Sequence, residues 1–417
     1  MRKFFKTIAL VTPLLFIGCG DDLSKPTIEA VKGGELFVNF SGSAIKPGLV
    51  AKGLIDENRT VYGYKAYKIP YMTTDEEGNK VKVSGLFVIP TGLPEAVTKT
   101  FGLSMVSDDH GTIFANKEAP SVIADFTGAP DGSSIILTSL GGFATLQPDY
   151  IGFGDSKGDY HPFLLKDSLA NSTVDFIKKV KVFAKENNIK LNNQLFLTGY
   201  SEGGYASLAT LKKIEEEQIT ELKVSMTASM AGPHALKLIA DAVFSQPKLD
   251  IPAFTANIVY AYAKANNQAL TSVVNKPYAS SLQALLNGDF ERIEIDPKLT
   301  QDTTGEKGLL TQSFVTNYFK DESNWFRVAL IKNSLHTWAP TTPLRLVHCE
   351  GDRVIPYGIS QLTEATMKGM GATNVALIPV EKTLGLTKKV DHVECGALAY
   401  SISTKLFSEV RKQTIGY

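Results

Sequence analysis

Residues Leu195, Phe196 and Leu197 form an apolar, strand-like run that passes through Gly199-Tyr200-Ser201-Glu202-Gly203 into a helical pattern reaching about Glu217. A strand that turns this sharply into a helix leaves little room beside the turn, so glycines flanking the serine answer a need for close backbone approach. The pattern is that of a G-x-S-x-G nucleophile elbow, which presents a serine hydroxyl at the carboxyl edge of a sheet. An ordinary glycine-rich turn could share the five residues, so the surrounding chain has to decide.

That chain alternates strand and helix signals. Thr60 to Pro70 and Lys80 to Pro90 alternate apolar and polar residues with period two around a Glu76-Glu77-Gly78-Asn79 turn, which predicts an antiparallel hairpin. Strands are expected at Leu103 to Val106, Phe143 to Leu146, 195 to 198 and Leu222 to Thr227, with helices at Ser134 to Leu140 and Phe163 to Lys185. From Pro233 to about Pro340 only helical patterns follow, at Leu236 to Phe244, Phe254 to Ala265, Ser280 to Leu286 and Phe314 to Leu330. Strand Leu344 to Val347, helix Tyr357 to Met370, strand Asn374 to Val380 and helix Gly396 to Val410 close the chain. The rhythm predicts an α/β fold with a doubly wound, mostly parallel sheet. Its core would span 56–232 and 341–417, with an inserted helical cap at 233–340.

At the N-terminus Arg2, Lys3 and Lys6 precede an apolar stretch, Ile8 to Ile17, too short to span a bilayer, so residues 1–18 read as a signal peptide. Phe16-Ile17-Gly18-Cys19 is similar to a bacterial lipobox, with Phe16 where leucine is usual, and makes Cys19 the expected lipidated first residue of the mature chain. An unlipidated secretory signal is the alternative. Residues 19–55 then read as a polar tether, and the expected location is that of an exported lipoprotein of the bacterial outer membrane, anchored by lipid. Lysine plus arginine equals aspartate plus glutamate at 43 each, so no global field favours nucleic acid, and a small neutral substrate fits better. In an exported chain the remaining Cys349 and Cys395 form a possible disulfide, with two buried thiols as the competing reading.

A serine nucleophile needs a base, and the base an acid that fixes its tautomer. In the elbow's fold the chain order is serine, acid, histidine. His392 lies after the last expected strand and just before the C-terminal helix, where the base belongs, whereas His234 and His336 flank the cap and His348 ends a strand. Asp352, in the loop after 344–347, is the preferred acid; Glu350 competes, and Asp391 reads as a solvated loop charge. Oxyanion donors are expected from the amide of Glu202 and from the His110-Gly111-Thr112 loop, through Thr112, with Gly111 allowing close approach and His110 holding the loop. Cys349 stands three residues before Asp352 and Cys395 three after His392, so a bridge could pin both loops. The chemistry requires no cofactor, and no histidine and carboxylate cluster has metal-ligand spacing.

With these residues in place the chain resembles the secretory lipase family of α/β hydrolases, which includes fungal lipase-A-type enzymes. The likeness covers most of 60–411 and rests on Ala119-Pro120-Ser121, Pro148-Asp149-Tyr150-Ile151-Gly152-Phe153-Gly154, the elbow, and Trp338-Ala339-Pro340. Its His110-Gly111-Thr112 loop looks more like that of bacterial esterase relatives than the acidic loop of the fungal enzymes. The resemblance implies serine-dependent hydrolysis of a carboxylic ester or lipid, with chain-length preference set by the cap. A serine peptidase of related fold and a noncatalytic surface-binding module are the rival readings; no propeller repeat supports the first, and an intact triad argues against the second.

Overall fold

The computed structural model describes residues 28–51, 55–127 and 132–417. Cys19 and the signal segment lie outside the described residues. Ten strands build one sheet: β1 (Glu29–Val31), β2 (Gly34–Phe40), β3 (Gly63–Thr74), β4 (Lys80–Thr91), β5 (Leu103–Asp109), β6 (Ala144–Pro148), β7 (Leu191–Tyr200), β8 (Val224–Met230), β9 (Leu344–His348) and β10 (Val375–Pro379). They lie in the order β1-β2-β3-β4-β6-β5-β7-β8-β9-β10. Pairings from β1 through β4 to β6 are antiparallel, and all those from β6 across to β10 are parallel. This is an α/β-hydrolase sheet with an antiparallel N-terminal flank. The β3–β4 hairpin runs in register from Gly63↔Thr91 to Thr74↔Lys80.

Strand β7 shows why the sheet must be covered on both sides. Successive side chains of a strand point to opposite faces. Leu195 and Leu197 accordingly join the cluster of Phe176, Phe183 and Tyr205, while Phe196 between them joins Phe143, Met230 and Phe407. The first face is covered by helices Lys166–Glu186 and Glu202–Glu216, the second by helix His392–Ile415, whose Phe407 stacks on Phe196 at 4.7 Å between ring centroids. Each such fully buried ring contributes about 2–3 kcal/mol by leaving water.

Several expectations are corrected. Residues 29–51 are no tether. They add β1, β2 and helix Gly42–Ala51 to the sheet edge, because Phe37, Ile45 and Leu49 bury against Tyr64, Leu86 and Val88. The short apolar run of Leu36, Phe37, Val38 and Phe40 stands among glycines and charges, which gives the segment its polar reading. The single helix expected over 314–330 is two, Gln312–Lys320 and Trp325–Asn333. Asn324 starts the second by accepting hydrogen bonds from the amides of Phe326 and Arg327. The last helix begins at His392, not Gly396, because Asp391 caps it through an Oδ1 bond from the Glu394 amide at 3.0 Å. Asp391 is exposed to solvent, as expected, and also caps the helix.

Between β8 and β9 the described elements are helical, chiefly Leu236–Phe244, Pro252–Ala265, Gln312–Lys320 and Trp325–Asn333. Phe244, Phe314, Tyr318 and Phe326 pack edge to face at their centre. This insert rests on the body through Tyr262, whose hydroxyl donates to the Leu164 carbonyl at 2.9 Å, and through Phe254, stacked on Phe114 at 5.9 Å.

Candidate active site

Strand order places a crevice at the carboxyl ends of β5 and β7. After β5 the chain leaves toward β6 on one side, and after β7 toward β8 on the other; adjacent parallel strands whose connections diverge open such a crevice. Asp109-His110-Gly111 and Tyr200-Ser201 are the residues delivered there.

Ser201 adopts φ 60° and ψ −119°, a backbone conformation rarely taken by a side-chain-bearing residue. The turn is tight enough that a Cβ at Gly203 would collide with the Asp109 carbonyl. Ser201 N donates to the Met230 carbonyl at 2.9 Å, which fixes the turn against β8. A strained residue that its surroundings hold on several sides is characteristic of a working site.

His392 Nε2 lies 3.0 Å from Ser201 Oγ, and its Nδ1 lies 2.6 Å from Asp352 Oδ2. A carboxylate only accepts, so Nδ1 carries the proton and Nε2 is left with a lone pair facing the serine hydroxyl. Asp352 is buried; Oδ1 accepts the amides of Val354 and Ile355, both at 2.9 Å. Burial alone would push its carboxyl up, but hydrogen bonds from His348 and His392 outweigh that and hold it well below the usual carboxylate range. Glu350, the competing acid, pairs instead with Lys389.

Apart from the cysteine pair, offered by the sequence as a possible bridge between the two loops, sequence reasoning missed the groups that hold this geometry. His348 Nε2 reaches the same Asp352 oxygen at 3.1 Å and its Nδ1 meets Ser360 Oγ at 2.8 Å. Glu381 accepts the amides of Glu350, Gly351 and Val390 at 2.8, 3.1 and 3.0 Å, joining the acid loop to the base loop. Gly351 packs against Val390 so closely that a Cβ would stand 2.6 Å from its carbonyl oxygen. Cys349 and Cys395 form a disulfide across the same two loops, with Cα atoms 6.0 Å apart. Tyr200 donates to the His392 carbonyl at 2.6 Å. Glu381→Ala strands one buried and two part-buried amides, so we expect a loss of about 2 kcal/mol in denaturant unfolding together with a fall in turnover. Unaltered stability would show that water replaces the carboxylate without cost.

On the opposite side Gly111 sits beside the elbow: a Cβ there would lie 3.1 Å from the Tyr200 carbonyl and 3.8 Å from Ser201 Cβ. His110 faces the Gly111 and Asp149 carbonyls at 2.7 and 3.2 Å and packs against Tyr150 in a tilted ring pair. Asp149 accepts from Ser84 Oγ, Ser121 Oγ and the Ser121 amide at 2.6, 2.6 and 2.9 Å, so it ties β4 to helix Pro120–Thr127. His234 and His336 stay out of the chain of contacts; His234 is buried against Ser229, and burial pushes its pKa down to about 3.

Against this geometry the sequence comparison is decisive: the profile of secretory lipases matches residues 127–394, more than half of the chain. The chain belongs to the secretory lipase family. Membership makes it a hydrolase of the lipase and esterase type. No curated protein matches it in sequence. Among solved structures, a Legionella pneumophila protein provisionally assigned as a hydrolase has 22% identity and a TM-score of 0.79, over 93% of this chain and 99% of that one. The rice cell wall degrading esterase LipA of Xanthomonas oryzae follows at 21% identity and 0.76, covering 94% of this chain and 98% of that one. Candida antarctica lipase A gives 14% identity and 0.57, over 79% and 73%. At such identities these three establish the fold.

Proposed function

We propose that this secretory lipase family member is a carboxylic-ester hydrolase working through an acyl-enzyme on Ser201. The hydrogen-bonded series Ser201–His392–Asp352 carries the reading. His392 takes the hydroxyl proton as Oγ attacks the ester carbonyl, then returns it to the leaving alkoxide; Asp352 keeps the imidazole in the required tautomer and stabilises its charged form. The amides of Glu202 and Thr112 receive the negative oxygen of the tetrahedral intermediate, with Gly111 keeping the loop close. Water then repeats the sequence to release the acid.

The insert after β8 lies over the oxyanion loop, where Phe114 meets Phe254 and the Asn116 amide donates to the Gly288 carbonyl at 2.7 Å. Those contacts support an acyl pocket bounded by residues 233–340, which act as a cap. The chain is further proposed to be exported and held at the bacterial outer membrane by lipid on Cys19, with the ester substrate met there; incorporation of labelled palmitate that Cys19→Ser abolishes would support the anchor.

The test is a p-nitrophenyl ester series from acetate to palmitate, with a fluorophosphonate probe followed by peptide mass mapping. Turnover across the series with the probe on Ser201 supports the reading, and the chain-length maximum separates esterase from lipase. A probe bound elsewhere, or no hydrolysis of any ester, sinks it.

A further inference from the structure

The residue after the proposed nucleophile is an acid, and its carboxyl is deeply buried. Glu202 is 1% exposed and is the first residue of helix Glu202–Glu216. Its Oε1 lies 2.7 Å from Nε2 of His161, itself 6% exposed, while Oε2 has no hydrogen-bond partner among the described residues. His161 Nδ1 faces the Ile151 carbonyl at 2.9 Å, so that nitrogen must carry a proton, and Nε2 then needs a second proton to meet a carboxylate. The ring is fixed between Phe153 and Tyr150, at centroid distances of 5.0 and 6.0 Å. Burial alone would lower the imidazole's pKa, but the Glu202 carboxylate and the two hydrogen bonds raise it overall.

Such a carboxylate is a hazard to the reaction proposed above. It hangs from the residue whose amide is to receive the oxyanion, and it occupies the positive end of the helix that would favour that charge. We propose that His161 is a positioning residue for the oxyanion hole, a buried counter-charge that neutralises Glu202 and leaves the elbow's amide and helix terminus free for the transition-state oxygen. It touches neither substrate nor reacting atoms and acts through Glu202. The inference rests on the serine-esterase reading.

Other ionisable groups facing the pair are few. Glu76 also acts on His161, and Tyr150 and Tyr205 lie within electrostatic reach of Glu202. Burial holds both phenols well above their usual range, so they stay neutral while assays are run.

The experiment measures kcat and KM on one p-nitrophenyl ester from pH 6 to 9 for the parent, Ser201→Ala, His161→Phe, His161→Gln and His161→Phe/Glu202→Gln, with thermal unfolding of each. With His161→Phe the buried carboxyl beside the oxyanion amide loses its counter-charge; the kcat ratio to the parent should fall to about one-tenth to one-hundredth at pH 8 and recover toward pH 6. KM should stay within about threefold, since the loss belongs to the transition state. Adding Glu202→Gln removes the uncompensated charge and should restore about tenfold at pH 8. If His161→Phe does not fold, His161→Gln keeps a donor to Glu202 without a positive charge and should show the same pH-dependent ratio in milder form.

Ratios that do not change with pH, a double variant no better than the single, or a His161→Gln enzyme that follows the parent at every pH overturn the inference and leave His161 a packing residue. Absence of Ser201-dependent turnover in the parent overturns the esterase reading itself, and this inference with it.

Discussion

Ser201→Ala and His392→Ala are each expected to lower kcat on p-nitrophenyl butyrate by about 10⁶-fold, and the double variant by no more than either alone. The serine hydroxyl is a weak nucleophile until Nε2 accepts its proton, and the lone pair 3.0 Å away meets no other hydrogen-bond partner among the described residues. Removing either partner therefore removes the same step, which is why the losses should not multiply. Asp352→Asn should cost about 10⁴-fold, because an amide can offer its NH₂ to Nδ1 and trap the imidazole in the wrong tautomer. That loss should be accompanied by destabilisation, since Asp352 also receives His348 and two backbone amides. Its carboxyl is held below the usual range, so its contribution to stability is present above the ordinary carboxylate pKa and fades only as pH falls through the depressed folded value. Steady-state kinetics with unfolding curves would check all four variants. Losses that multiply in the double variant would mean that Ser201 and His392 act separately, and the triad reading would fail.

What the sequence made legible divides along physical lines. The proposed nucleophile, base and acid could be picked out as candidates because each sits at a fixed place in a strand–loop–helix rhythm, and the side chains of Ser201, His392 and Asp352 do meet. The hairpin and the helices on either side of the insert were readable because burial on one face leaves a period of two or 3.6 in the chain, and the parallel strands, buried on both faces, because they read as short continuous apolar runs. The groups around the triad were not readable. His161 reaches Glu202 across 41 positions, and Glu381 reaches Glu350, Gly351 and Val390 from a helix of only five residues. Long-range polar contacts leave no local period. His348 carried a faint signal, as a histidine ending a strand whose preceding Leu346 and Val347 are wholly apolar, a place where a polar ring must find a buried partner. The strands β1 and β2 escaped because the short apolar run of Leu36, Phe37, Val38 and Phe40 stands among glycines and charges and does not alternate with period two.

The double variant Cys349→Ser/Cys395→Ser is expected to lose about 4 kcal/mol of unfolding free energy, from the closure entropy of a loop of about 46 residues. Its kcat at 25 °C should nevertheless fall less than about threefold, because a disulfide acts mainly on the unfolded ensemble. In the folded state the two loops remain joined by the three amides on Glu381 and by Asp352 on His392 itself, and Tyr200 of β7 holds the His392 carbonyl. These bonds fix the base at the scale of the reaction. The bridge lies behind them, both sulfurs fully buried, so a mild reductant should leave the native enzyme active until heat or denaturant opens the loops. Guanidinium titrations of the parent and the double variant, with kcat measured on the same samples, separate the two roles. A tenfold loss of kcat at unchanged stability would show that the cysteines position His392 directly; a lower midpoint with turnover retained places their work in the unfolded chain and leaves the alignment of the base to Glu381 and Tyr200.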